Sequence, residues 1–408
     1  MPIDFNLPPE VEEVRLRVRK FMDEEVRPTE EKLQGDGADR EAYVKGIVGL
    51  RKRAQELGLW NPHLPSEWGG MGLGATAMAF VSAEAARTGI GPFVLNAQAP
   101  DEGNMHTLYH WATPDQKEKY LRPLAEGRAR SCFAMTEPEV AGSDPTLIQT
   151  KAIRDGDDWV VNGHKWFISG ARGAQFAILI ACTDPDADPP QARNSAFMVD
   201  MPAEGWEIVR DVETMAGRGN HCEIQITDLR VPHENMLGGQ GQGHLLGQYR
   251  LGPARLAHCM RWIGQAEVAL EMLVDRATKR YAHGSYLADK QAIQWMIADS
   301  SMELYSAKLM VLHAAYKIEN QMPFRQEVSM AKHHVANTLW RIVDRAIQVH
   351  GALGYSTDTP LERMSRNARS ARLVDGADEV HMQTIAKNVI AAYKEHGSTS
   401  SATGDLLV

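Results

Sequence analysis

Apolar residues recur every three or four positions in the first and last thirds of the chain, and in shorter runs or alternation between them. Residues 16–26 and 44–59 predict amphipathic helices, the second with Arg51, Lys52 and Arg53 on its wet face. Residues 61–74 are rich in Gly and Pro and cannot form regular helix. The small residues of 75–87 predict a buried helix, and Thr113 with Pro114 reads as the N-cap and first position of a helix through 120. In the middle, Asp155-Gly156 and Asn162-Gly163 predict hairpin turns bracketing 159–161, with 164–168 following. Residues 176–182 and 196–199 predict buried strands, and 222–227 alternates like a half-exposed one. Residues 184–190 form a loop rich in Pro and Asp. From 245 onward the chain is helical. Ile263, Ala266, Leu270, Leu273 and Ala277 make a bundle seam that 288–320, 327–349 and 377–393 continue, so a four-helix bundle is expected. The last dozen residues predict a frayed tail. The fold class is therefore α+β, with an N-terminal helical domain (1–130), a central β domain (131–240) and a C-terminal helical bundle (241–408).

Composition narrows the function. The 408 residues can bury large cores without metal or disulfide staples. Forty-four Lys and Arg against 53 Asp and Glu give a net charge of -9, which argues against a nucleic-acid partner while leaving room for a local basic patch. Cys132, Cys182, Cys222 and Cys259 form no CxxC pair, so neither a disulfide framework nor a thiolate metal site is expected. No apolar run reaches the ~18 residues of a membrane span. The start lacks a signal-peptide pattern, and Asp405-Leu-Leu-Val408 is no peroxisomal or prenylation tail. A cytoplasmic protein without a membrane partner is the plain expectation.

Several motifs lead nowhere. GxxxxGK[ST], HExxH and GxSxG are absent. Gly239, Gly241 and Gly243 read as a flexible linker. His106 and His110 share a helix face without a third ligand, and His333 and His334 point to different faces, so no metal site is expected.

Three segments carry chemistry: Cys132-Phe-Ala-Met-Thr-Glu-Pro-Glu-Val-Ala-Gly-Ser-Asp144, His164-Lys-Trp-Phe-Ile-Ser-Gly170, and Gln348-Val-His-Gly-Ala-Leu-Gly354 followed by Arg372-Leu-Val-Asp-Gly-Ala-Asp-Glu-Val380. In this order they resemble the acyl-CoA dehydrogenase flavoprotein family over essentially the whole chain. The likeness takes in Arg218 within Met-Ala-Gly-Arg-Gly, Leu229-Arg-Val-Pro232, Asn235-Met-Leu-Gly238, Arg280-Tyr-Ala-His-Gly284 and Gln291.

The resemblance implies an FAD site. Phe133, Met135 and Thr136 would line the isoalloxazine, with the Thr136 hydroxyl hydrogen-bonding the ring. Gly142 and Ser143 would meet the pyrophosphate or the substrate. Phe167 stands where the family usually has Trp, and Ser169 where it has Thr. Arg280, His283 and Gln291 would reach the pyrophosphate and adenosine of a neighbouring subunit's FAD, with His283 replacing a usual Phe. Gln348 and Gly351, then Ala377 and Glu379, complete the implied cofactor set. By itself Arg280 reads as a solvated charge at a helix end.

The resemblance also implies a base. Removing an α proton from an acyl thioester needs a poised carboxylate. The family's Glu before Gly reads here as Asp375-Gly376, and the alternative position, before Arg255, is Ala254. The isolated dipeptide is ordinary turn chemistry; in this constellation Asp375 is the candidate base. Ser143, Arg218, Arg255 and Gly376 are the implied substrate contacts, Arg255 either orienting the carboxylate or lying near CoA. The first segment is one residue longer than the common Thr-Glu-Pro-Gly-Ala-Gly-Ser. With the aspartate, that resembles the branch of family members ten and eleven, which favour longer or unusual acyl chains. The implied activity is α,β-dehydrogenation of a medium- to long-chain acyl-CoA to the trans-2-enoyl-CoA, with an electron-transferring flavoprotein as acceptor and a homodimer or homotetramer as the assembly. Two alternatives stay open. Nitroalkane oxidases share the fold and an aspartate base, and a DNA-associated branch would need a basic C-terminal face, which residues 395–408 lack.

Overall fold

The computed structural model describes residues 7–34 and 40–403, with the side chains of Gln34, Arg40, Arg218 and Gly219 left out. The first six residues and Asp405–Val408, on which the targeting expectations fell, lie outside the described residues. The chain forms two compact units. One comprises Leu64–Gly70 and Asn96–Ala254, the other Met1–His63, Met71–Leu95 and Arg255–Val408. The boundary falls inside the Gly243–Lys279 helix.

The first unit is built on a sheet. Its strands are β1 (Ser131–Ala134), β2 (Lys151–Asp155), β3 (Asp158–Ser169), β4 (Phe176–Cys182), β5 (Asn194–Asp200), β6 (Trp206–Thr214), β7 (Gly217–Pro232) and β8 (Met236–Leu237). The order is β6-β7-β3-β2-β4-β5-β8, with β1 pairing parallel to β4. Strand β4 reads Phe-Ala-Ile-Leu-Ile-Ala-Cys and is buried throughout. Its period of two feeds two cores: Ala177, Leu179 and Ala181 join Cys132, Phe197 and Ile224 on one side. Phe176, Ile178 and Ile180 join Met105, Leu108, Tyr120 and Leu124 on the other. A strand buried on both faces loses the polar alternation of an exposed one. Thr113 caps the helix at Pro114 in a reciprocal box with Gln116, as the sequence predicts.

Two turn expectations part company here. Asp155-Gly156 does turn β2 into β3, with Gly156 at φ +62. Asn162-Gly163 does not turn: it lies within β3, where the pairing with β7 slips between Val161 and Gly163. The bulge is stabilised from the side, since Asn162 exchanges hydrogen bonds with Asp228. Glycine is required because a Cβ at 163 would sit 2.2 Å from Thr150 Oγ1. The 239–243 stretch is a docked turn rather than a flexible linker. Gly241 N donates to Ser195 Oγ at 2.9 Å, and a Cβ at 243 would meet the 194–195 backbone.

The second unit is helical. Its core packs Leu256, Cys259, Ile263, Ala266, Leu273 and Ala277 with Ala79, Ala83, Ala307, Val311, Val335 and Leu339. The long helices are Gly243–Lys279, Gln291–Glu319, Arg325–His350 and Asp378–His396. The small residues of Ala75–Ala85 let two backbones approach, and a Cβ on Gly264 would lie 2.0 Å from Ala83 O. Gly264→Ala therefore forces two helices apart and is expected to cost about 1–3 kcal/mol, read as a lowered melting temperature. Arg51 is not simply on a wet face. Its guanidinium lies over the Trp60 and Phe93 rings and donates to Phe93 O. The tail through 403 is not frayed either, since Gln326 donates to Ala402 O at 2.7 Å and Ala402 is buried. A small hairpin, Tyr281–Ala282 with Ser285–Tyr286, is too short to show as strand periodicity.

Candidate functional site

In the sheet unit, β1 delivers Phe133 and the chain continues through Met135 and Thr136 beside β3. Thr136 and Trp166 pair reciprocally: Trp166 N donates to Thr136 O, and the Thr136 hydroxyl donates to Trp166 O at 2.7 Å. That hydroxyl proton is committed, so Thr136 offers a ligand only acceptor lone pairs, where the sequence expectation left donor and acceptor roles open. Phe167 sits where the β3–β7 register slips, at φ +53 and 44% exposed. A large aromatic held in a left-handed conformation and presented outward is costly, and such strain concentrates at ligand sites. Its ring stands edge-on to Trp166 and tilts over His221. Ser169 shares a 2.8 Å hydrogen bond with His221, whose imidazole burial holds below its ordinary pKa. Gly142 and Ser143 are exposed, and a Cβ on Gly142 would press on Thr136 at 3.3 Å. Arg218 lies in β7 opposite Glu213, and its side chain is outside the described residues.

Two supports beneath this surface escape the sequence reading. Arg250, nearly buried, lays its guanidinium 4.2 Å over the Phe133 ring and donates to Asn104 Oδ1 at 2.8 Å. Asn104 and Asp101 in turn bind Ser131. Lys165 and Glu137 form a buried ion pair at 2.8 Å. Lys165 also donates to Met135 O, and Glu137 accepts from the amides of Gln149 and Thr150. Burial pushes the Lys165 ammonium down to about 8 against the pull of Glu137. Both residues lie inside quoted motifs, but a period-two strand cannot show that an inward position is a lysine's partner.

In the helical unit, Asp375 and Gly376 sit at φ +52 and +102 between the Leu361–Ala371 and Asp378–His396 helices. Their carbonyls are anchored. Asp375 O accepts from Arg255 Nε at 2.7 Å and from His381 Nε2 at 3.3 Å, and Gly376 O accepts from Lys332 Nζ at 2.6 Å. Lys332 is fully buried and His381 nearly so. Burial, reinforced by Lys332 and Arg255, pushes the His381 imidazole down to about 4, so it is neutral here and donates. A Cβ on Gly376 would strike His381 at 2.8 Å. The Asp375 carboxylate stays 22% exposed, with His258 Nε2 at 3.4 Å from its Oδ2. Arg280, His283, Gln291, Gln348, Gly351 and Glu379 are exposed, Ala377 is half-buried, and His283 again has positive φ, at +51.

Asp378 clamps the loop's far end. Its carboxylate accepts from Arg372 Nε at 2.7 Å and Asn337 Nδ2 at 3.1 Å. Burial pushes this carboxyl up, but Arg372, Asn337 and His333 outweigh it and hold it below the ordinary value. A depressed folded-state pKa gives stability that is present above the unfolded value of 3.8 and lost as pH falls through the folded one. Asp378→Asn is thus expected to cost about 1.5–3 kcal/mol at pH 7. Melting curves from pH 7 to 3 should show the gap to wild type closing at the acid end.

Family profiles match in three blocks: the acyl-CoA dehydrogenase N-terminal domain over 8–128, the middle domain over 132–229 and the C-terminal domain over 241–390. The chain is 38% identical to FadE2 of Mycobacterium tuberculosis over 409 aligned residues, covering 96% of this chain and 98% of that protein. The chain belongs to the acyl-CoA dehydrogenase family. Within it lies a likeness to the branch of family members ten and eleven. Family member 11 of Gallus gallus is 37% identical over 92% of this chain, which spans only 50% of that relative's length. An acyl-CoA dehydrogenase-like structure from Mycobacterium abscessus superposes with a TM-score of 0.89 at 36% identity, covering 95% of this chain and 100% of that one. The fold expected from sequence, helices then sheet then bundle, is that of this family. No described helix is long and apolar enough to cross a membrane.

Proposed function

We propose that the chain is an FAD-dependent acyl-CoA dehydrogenase. It would convert a medium- to long-chain acyl-CoA to the trans-2-enoyl-CoA, with Asp375 as general base. The observation that carries this reading is the Asp375 loop. Its carboxylate is partly exposed while its carbonyls are fixed by Arg255, His381 and Lys332. It stands at the family's base position, and the alternative position holds Ala254.

The residues present fit FAD. Phe167 offers an outward aromatic face, Thr136 an acceptor, Ser169 a hydroxyl, and Gly142 a close backbone approach. Phe133, Met135, Thr136, Phe167 and Ser169 would hold the ring system and Gly142 and Ser143 the pyrophosphate side. Arg280, His283, Gln291, Gln348 and Gly351, with Ala377 and Glu379, would hold the adenosine side of a second subunit's cofactor. FAD, when bound, supplies the hydride acceptor. The protein's own part is to position and deprotonate. Asp375 takes the α proton on a carboxylate oxygen, and a backbone N–H at Asp375 or Gly376 polarises the thioester carbonyl. Ser143, Arg218 and Gly376 would contact substrate. Arg255, committed to the Asp375 carbonyl and held below its ordinary pKa by burial, would orient the base rather than meet CoA.

The likeness to members ten and eleven supports a medium to long chain. A similar solved structure is a glutaryl-CoA dehydrogenase with glutaryl-CoA, 27% identical, which supports a CoA thioester. Another, 28% identical, comes from work on an electron transferring flavoprotein of Acidaminococcus fermentans, and supports that partner as electron acceptor. A homodimer or homotetramer is supported by exposed apolar residues on the helical unit, among them Trp295, Met302, Tyr305 and Tyr355. The three profile blocks support domains of 1–130, 131–240 and 241–408. The test is mass spectrometry of acyl-CoAs of rising length incubated with the holoenzyme and an electron acceptor. Loss of two hydrogens from a medium or long chain is expected. Conversion of nitroethane with no acyl-CoA touched would move the activity to nitroalkane oxidation.

A further inference from the structure

Arg255 and His258 lie three residues apart on the Gly243–Lys279 helix and so share a face toward the Asp375 loop. They meet different parts of it. Arg255, Lys332 on the Arg325–His350 helix and His381 on the Asp378–His396 helix donate to main-chain oxygens. His258 instead places Nε2 3.4 Å from the carboxylate oxygen Oδ2. Its ring is set by stacking on Trp262, at 5.3 Å between centroids and 24° between planes. Both partners are about one-fifth exposed, His258 at 21% and Asp375 at 22%. The ring therefore stands next to the carboxylate with a route to water.

A carboxylate that removes an α proton must shed it before the next turnover. Arg255 cannot accept a proton, and Lys332 is buried against Gly376 O. A neutral imidazole can accept one, and His381 is already spent on a carbonyl. We propose that His258 is a positioning residue that relays the proton from Asp375 to solvent, an inference that rests on Asp375 being the base. In the step, the Oδ2–H bond of protonated Asp375 breaks and an Nε2–H bond forms on His258. Asp375 regains its carboxylate, the imidazolium then gives a proton to water, and no electrons move between groups. The 3.4 Å separation is loose for a hydrogen bond, as such contacts often are before substrate binds.

Two rates on one holoenzyme separate relay from scaffold. Loss of flavin absorbance in an anaerobic single turnover needs Asp375 only to accept a proton. Exchange of the acyl-CoA α hydrogens with ²H₂O needs Asp375 to trade its proton with solvent. In His258→Gln and His258→Ala, exchange is expected to fall roughly 10–100-fold, less than the 10²–10⁴-fold effect of a direct general base, while single-turnover reduction stays near wild type. Added imidazole should restore exchange in His258→Ala. Exchange and reduction falling together, without imidazole rescue, would mean a merely structural residue and overturn the relay, as would unchanged exchange. A wild type inert in both arms would overturn the dehydrogenase reading, and the relay with it.

Discussion

Exchanging Asp375 for Asn is expected to slow acyl-CoA-driven loss of flavin absorbance by on the order of 10²–10⁴-fold. The fold should survive. At 375 and 376 the anchoring hydrogen bonds fall on main-chain oxygens, Arg255 and His381 on the carbonyl of 375 and Lys332 on that of 376, and the Asp378 clamp lies beyond the exchanged side chain. An isosteric amide leaves these in place and removes only the negative charge that, as proposed, would accept the proton. Thermal melts should therefore match wild type closely, and acyl-CoA should still bind. Asp375→Glu separates charge from reach. The added methylene keeps the carboxylate but moves it, so an intermediate rate is expected, because a displacement of about 1 Å in a reacting group can cost 10²-fold. Stopped-flow absorbance under anaerobic conditions reads both variants.

The second large effect is on stability. Lys165→Met should cost about 3–5 kcal/mol, because it leaves the Glu137 carboxylate buried without its counter-charge. Lys165 and Glu137 are 0% and 1% exposed, so water cannot take over as partner. The double variant Lys165→Met, Glu137→Leu should recover part of the loss by removing the orphaned charge. It will not recover all, since the amides of Gln149 and Thr150 also lose their acceptor. Urea titration of wild type and the two variants measures this directly. Lys165 also ties down Met135 O, so the single variant should release flavin more readily than Gly264→Ala, whose strain lies in the other unit.

The architecture was legible because its long helices and buried strands repeat their periods. Of the predicted seam, Ile263, Ala266, Leu273 and Ala277 are buried and Leu270 is half-buried against the same core, and β4 is the continuous apolar run of a strand covered on both faces. Local chemistry misled where tertiary contacts overrode it. Asn162-Gly163 has the composition of a turn, yet pairing of 158–169 with β7 and the Asn162–Asp228 exchange keep it in the sheet as a bulge. Arg51 reads as a surface charge, yet two aromatic rings claim it. For the candidate site, motif order picked out the Asp375 loop and the 132–144 segment. It could not find Arg250, Lys332 or the Lys165–Glu137 pair, because a buried cation reveals itself only through partners distant in sequence. His258 was open to discovery, since it lies one helical turn from Arg255, a residue already singled out.

The most direct test of the central claim is one anaerobic experiment. Purified holoenzyme, wild type beside Asp375→Asn, is mixed with straight-chain acyl-CoAs of rising length while the flavin absorbance is followed. Rapid bleaching in wild type by a medium or long chain, and its near absence in Asp375→Asn despite retained binding, is the predicted result. Bleaching at equal rates in both would contradict Asp375 as the base, and a yellow wild type that no acyl-CoA bleaches would contradict the dehydrogenase assignment itself.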